Sequence, residues 1–98
     1  MLLATTRFDT EHGQKYLVQL CKHFGHRIET SYSDDHGECH FEFGTAVFDA
    51  DATGLNIAVN LIDEARLPQA QSVIVDHLMR FSFREKRDAL DWQTVPQA

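Results

Sequence analysis

The stretch from Leu67 to Phe83 constrains this chain most. At about 100° per residue, Leu67, Ala70, Ile74, Leu78 and Phe81 fall on one stripe, with His77 just inside its edge. Such a stripe needs an apolar partner. The flanking segments supply one, because they alternate with a period of two and so present one apolar face each.

Taken in order, Leu2 to Phe8 reads as an opening strand, and Asp9-Thr10 as a helix N-cap with Glu11 in the first turn. Tyr16, Leu17, Leu20, Cys21 and Phe24 then recur at helical spacing, and Gly25 ends that helix as a residue free to take positive φ. Four strands are predicted next. Their apolar faces are Ile28, Thr30 and Tyr32, then Cys39, Phe41 and Phe43, then Ala46, Phe48 and Ala50, then Leu55, Ile57, Val59 and Leu61. Ser33-Asp34-Asp35-His36-Gly37, Gly44 and Asp51-Ala52-Thr53-Gly54 punctuate them as turns or breaks. Asp63 or Arg66 marks the entrance of the second helix, with Pro68 in its first turn, where no backbone donor is needed. Arg84 to Asp88 reads as a solvated helix end or loop, and Leu90, Trp92 and Thr94 as a last strand stopped by Pro96.

The order β-α-β-β-β-β-α-β predicts an α+β fold in a single domain over residues 1–98, an antiparallel curved sheet with two helices packed on one face. In topology it resembles one repeat of the TATA-binding-protein fold. Borrowing DNA binding from that likeness runs against the charge, since 15 acidic residues outnumber 9 basic ones for a net −6, and no basic block appears. Nucleic acid is therefore excluded as a partner. Apolar runs fall far short of the ~20 residues that span a bilayer, and Met1-Leu2-Leu3-Ala4 lacks the charged start of a signal peptide. A soluble cytoplasmic protein with no membrane partner is expected. Cys21 and Cys39 both lie on apolar faces and read as buried free thiols.

Chemistry centres on histidine, of which there are 6. His23 and His26 bracket Phe24-Gly25 at the end of the first helix, and with His77 they make a candidate site for a divalent metal, imidazole being a common transition-metal ligand. The competing expectation is that His23 and His26 cap open carbonyls at the helix C-terminus. For His77 the rival is a core-edge ring bonded to a backbone carbonyl or a strand side chain. His12, His36 and His40 fall on turns or polar faces and read as solvated. Nothing suggests a catalytic nucleophile or a phosphate loop, so no catalytic or cofactor-binding residue is assigned. Phe41, Phe43, Phe48, Phe81 and Trp92 are core residues first, and could line an apolar small-molecule pocket if the helices stand off the sheet.

Three motifs carry a family resemblance: Tyr16-Leu17-x-x-Leu20-x-x-His23-Phe24-Gly25-His26, Phe41-x-Phe43-Gly44, and His77-Leu78-x-Arg80-Phe81, followed by Glu85 and Trp92. In order and spacing these resemble a bacterial family of uncharacterised proteins, domain of unknown function 2218. The resemblance implies a small protein with no established catalytic residue, some relatives of which are associated with siderophore-interacting proteins. The expectation that follows is a non-enzymatic ligand-binding or accessory module tied to iron or siderophore handling, with a small molecule or a siderophore-interacting protein as partner. The alternatives are an enzyme using acid–base chemistry at His23, His26 and His77, and a structural module that forms a homodimer through the polar sheet face.

Overall fold

Alternation pairs the strands as the periodicity predicts. The computed structural model describes residues 2–85 and 90–96. Its elements are β1 (Leu2–Asp9), α1 (Gly13–Phe24), β2 (Glu29–Tyr32), β3 (His36–Phe41), β4 (Gly44–Ala50), β5 (Gly54–Leu61), α2 (Leu67–Phe81) and β6 (Gln93–Pro96). Short 3₁₀ turns at Glu64–Arg66 and Phe83–Glu85 flank α2. The strands form one sheet in the order β2-β3-β4-β5-β1-β6, every neighbouring pair antiparallel. Of the charged stretch expected to follow α2, residues 86–89 lie outside the described residues.

Register fixes which side chains share a face. Ala4, Val59, Ala46 and Cys39 lie in one row across β1, β5, β4 and β3, and all four are buried. Phe8, Leu55, Ile57 and Phe48 extend this apolar floor, and α1 and α2 cover it. Tyr16, Leu17, Leu20, Cys21 and Phe24 are buried from α1, whereas α2 buries only Ala70, Ile74 and Leu78. The first helix, lying against β2 to β5, is thus the larger lid, and the ends of the α2 stripe, Leu67 and Phe81, stay half-buried. No helix among the described residues is long and apolar enough to cross a membrane.

Several element boundaries differ from expectation for local reasons. β1 runs on through Asp9, which pairs with Gly54, so the Asp9 carboxylate binds Arg7 instead of capping a helix. The helix starts at Gly13, where a Cβ would lie 2.7 Å from the Gly54 carbonyl oxygen. Gly25 has φ −62°, so its small size rather than a left-handed backbone is required: a Cβ there would meet Thr30 Oγ1 at 2.8 Å. Gly37 lies in β3 beneath α1 rather than in a turn. Asp63 caps the 3₁₀ turn Glu64–Arg66 that leads into α2, accepting the Ala65 N–H at 3.0 Å, while Arg66 stands at the N-cap of α2 itself and Pro68 occupies its first turn. After α2, the Ser82 hydroxyl donates to the Leu78 carbonyl at 2.8 Å.

Candidate functional site

The end of α1, the middle of α2 and the β3–β4 turn meet at a string of rings. Phe81 lies edge-on to His23, with centroids 6.0 Å apart. His23 and His77 follow at 4.7 Å, His77 and Phe24 at 5.0 Å, and Phe24 and Phe41 at 4.9 Å. Phe41 and Phe43 complete the string, stacked at 4.6 Å with planes 10° apart. Strand geometry produces this last pair. Phe41 ends β3 opposite Gly44, and the two-residue turn Glu42-Phe43 brings the second ring back over the first. Gly44 makes the turn feasible, because its φ is +145° and any Cβ would collide with the carbonyl of Asn60.

All of these rings but Phe81 border a cavity of about 440 Å³, whose lining includes His23, Arg27, Phe41, Glu42, Gln69 and His77. That volume lies within the range of ordinary small-molecule sites, roughly 300–1,000 Å³. A hollow of similar size, about 460 Å³, lies on the uncovered face of the sheet, lined in part by Arg7, Val47, Asp49 and Asn56. Arg7, Asp49 and Asn56 of this hollow already have partners within the chain. The Arg7 guanidinium donates to Asp9, Asp51, Asn56 and Thr53, and Asp49 binds His36 at 2.5 Å. Polar groups spent in this way favour the ring-lined cavity as the functional candidate.

The histidines around that cavity have little structural work to do. The last carbonyls of α1 are satisfied by backbone: Gly25 N–H donates to Cys21, His26 N–H to His23, and both Arg27 and Ile28 N–H to Phe24. The winding of residues 25–28 thus replaces the imidazole capping expected from sequence. His77 has the backbone bond expected of a core-edge ring. Its Nδ1 lies 2.6 Å from the Val73 carbonyl, an acceptor, so Nδ1 carries the proton and Nε2 is the remaining acceptor in the neutral ring. The His23 imidazole is held below its ordinary pKa, first by desolvation and then by the positive charges of His77, Arg80, His26 and Arg27. At neutral pH it is therefore a neutral ring offering one donor and one acceptor.

Of the three histidines singled out by sequence, the fold brings His23 and His77 together. His26 is exposed on the turn beyond α1 and does not line the cavity. Among the described residues no group of three or more His, Cys, Asp or Glu side chains is placed to hold a metal ion, so the donor set present is an imidazole pair. Arg27 and Glu42, which in the sequence alternate with the apolar-face residues Ile28, Phe41 and Phe43, also line the cavity, because the chain turns at both positions before the neighbouring strands begin. Phe41 and Phe43 do line it, while Phe48 is sealed in the core and Trp92 lies by the outer side of α2. His12, His36 and His40 are exposed as expected. His36, however, is bridged to two carboxylates, Asp49 at 2.5 Å and Glu38 at 3.1 Å.

The backbone carbonyl of Val73, in the same helix, orients His77, and no serine, threonine or cysteine is among the described residues lining the cavity. The arrangement is a ring-lined recess with a few polar groups at its margin.

Comparison with known proteins agrees with the fold. A family model described as "Uncharacterized protein conserved in bacteria (DUF2218)" matches residues 5–93. The NMR structure of PA4090 from Pseudomonas aeruginosa is similar at TM-score 0.78 and 30% identity, covering 95% of this chain and 96% of that one. No curated protein matches.

Proposed function

We propose that this chain, which belongs to the bacterial family of uncharacterised proteins DUF2218, is a non-catalytic module that binds a small ligand in the ring-lined cavity. The observation that carries this reading is the placement of His23 and His77, 4.7 Å apart and free of capping duty, beside the stacked Phe41 and Phe43. The phenyl rings supply apolar contact, and His77 Nε2, His23 and Gln69 supply orientation. An accessory role in iron or siderophore handling draws its support from the family resemblance and from the imidazole pair. Zinc or ferrous iron entering here takes His23 and His77 as its protein donors, with its other positions left to water or a chelating ligand.

The test is a ¹H–¹⁵N NMR screen of aromatic fragments at roughly millimolar concentration, where weak binders register. Binding shifts the signals of Phe24, Phe41, Phe43 and His77 and spares those of β6. A screen in which no fragment moves these signals overturns the proposal. Parallel titrations with zinc and ferrous iron decide the metal question: the His23 and His77 ring signals respond while those of His26 stay put, or the imidazole pair is no metal site.

A further inference from the structure

We propose that the cavity selects an aromatic acid, a flat one- or two-ring compound carrying a single carboxylate or comparable anion, its ring against Phe41 and Phe24 and its anion at Arg27. This rests on the binding reading above and names the ligand class.

Charge placement is the first argument. A chain of net −6 gathers His23, His26 and Arg27 from the end of α1 and His77 and Arg80 from α2 about one spot, close enough for each to bear on the charge of His23. Among the described residues neither Arg27 nor Arg80 has a carboxylate within ion-pair distance, whereas Arg7 is bound by two. Backbone groups close the helix end, so these cations are not caps. A guanidinium with no carboxylate partner at the edge of an apolar recess favours an anion, and a charge-assisted hydrogen bond to it is about twice as strong as a neutral one.

The second argument limits the anion. Glu42 is the one acid in the lining, and it sits on the β3–β4 turn, not at the α1 end. With Arg27 as the lining's one arginine, Glu42 as its one acid and His23 neutral, the cavity offers a single guanidinium to a guest, which suits a monoanion and disfavours a polyphosphate. The third argument is the ring. Phe43 is sealed at 3% exposure and locked in the stack, while Phe41 stays half-buried at the cavity and Phe24 meets it edge-on at 78°. A planar guest extends this pattern of stacked and edge contacts.

The experiment titrates the protein with 2-naphthoate, its neutral isostere 2-naphthylmethanol, and acetate, followed by ¹H–¹⁵N NMR in the unmodified chain and in Arg27→Gln. Arg27 is exposed, so the variant folds, and its own spectrum verifies this. The naphthoate binds about tenfold or more tightly than the alcohol, the preference that one charge-assisted contact supplies. It moves the signals of Phe41, Phe43, His23 and His77, and acetate at the same concentration moves none. Arg27→Gln brings the naphthoate down to the alcohol's affinity and leaves the alcohol's unchanged. Equal affinities for acid and alcohol, or indifference of the naphthoate to Arg27→Gln, overturn the aromatic-acid assignment while the binding cavity stands. If neither naphthyl compound reaches the cavity, the assignment and the binding reading fall together.

Discussion

Gly37 offers the sharpest test of the packing that holds the site together. It is a buried glycine in β3, paired with Tyr32 and Phe48, and α1 crosses above it so closely that a Cβ would lie 2.6 Å from Cys21 Sγ. The next atoms, Leu17 Cδ2 and Tyr32 Cβ, would be at 3.4 Å, close to ordinary contact, so the clash is with one sulfur atom. Overpacking of this kind typically costs about 1–3 kcal/mol, because a sealed side chain has nowhere to go. Cys21→Ala alone removes one buried heavy atom and leaves a small void, a loss of about 1 kcal/mol. In the double variant the new methyl occupies the space that the sulfur vacates. The pair should therefore cost about 1 kcal/mol in total, with a favourable coupling of roughly 1–3 kcal/mol relative to the sum of the singles. Contacts of Cys21 with Cys39 are lost in both variants lacking the sulfur and cancel in the cycle. Urea denaturation of the four proteins measures it, with slopes unchanged if the folded and unfolded states keep their extents. Additivity within about 0.5 kcal/mol would refute the claim that α1 rests on β3 through this contact.

Three other outcomes follow from the same geometry. His36 is held above its ordinary pKa of 6.5, first by the hydrogen bond to Asp49 and then by that to Glu38. A raised folded pKa makes this bridge stabilising below the unfolded pKa, and the contribution fades as pH rises through the folded one. The unmodified protein should thus lose its advantage in urea midpoint over His36→Gln between mildly acidic and mildly alkaline pH, and a gap that widens instead contradicts the bridge. Cys21 and Cys39, each 0% exposed with sulfurs 3.9 Å apart, should resist Ellman's reagent in the native protein and both react in guanidinium; fast native reaction would show that α1 does not seal them. Arg27→Gln should leave stability within about 0.5 kcal/mol, as expected of an exposed side chain with no ion-pair partner among the described residues. A loss above about 1 kcal/mol by urea denaturation would assign that arginine to the fold instead.

Strand faces were legible because burial at alternate positions leaves its mark residue by residue: Leu55, Ile57, Val59 and Leu61 alternate in the sequence and are all sealed in the structure. The second helix was legible for the same reason at its own period, as Ala70, Ile74 and Leu78 show. What escaped were contacts decided at a distance. Nothing local distinguishes Gly37, which is needed because a helix crosses it, from a turn glycine, and nothing local separates Gly25, crowded by Thr30, from a left-handed cap. The site was half legible. His23 and His77 stood out by type and by their place at the edges of apolar stripes, but their meeting depends on how α1 and α2 lie together. Arg27 and Glu42 looked like surface alternation, and only the two chain reversals turn them inward to the cavity.

The cavity's position follows from the unequal reach of the two helices. α1 seals the sheet over β2 to β5 as far as Phe24, and α2 meets it beside His23 with only three sealed residues of its own. Beyond Phe24 neither helix covers the ends of β3 and β4, so the Phe41–Phe43 stack is left to close the core from below. A fold selected for stability alone would fill such a margin with aliphatic side chains that interdigitate. Here the margin carries two imidazoles, an arginine with no ion-pair partner among the described residues, and the amide of Gln69, whose Oε1 accepts from Arg66 while its amino group is left over, next to the half-buried ring of Phe41. Polar capacity held at the edge of an apolar recess contributes little to folding, which supports the binding role proposed for this cavity over the hollow on the open sheet face, where Arg7 and Asp49 are already committed to partners in the chain.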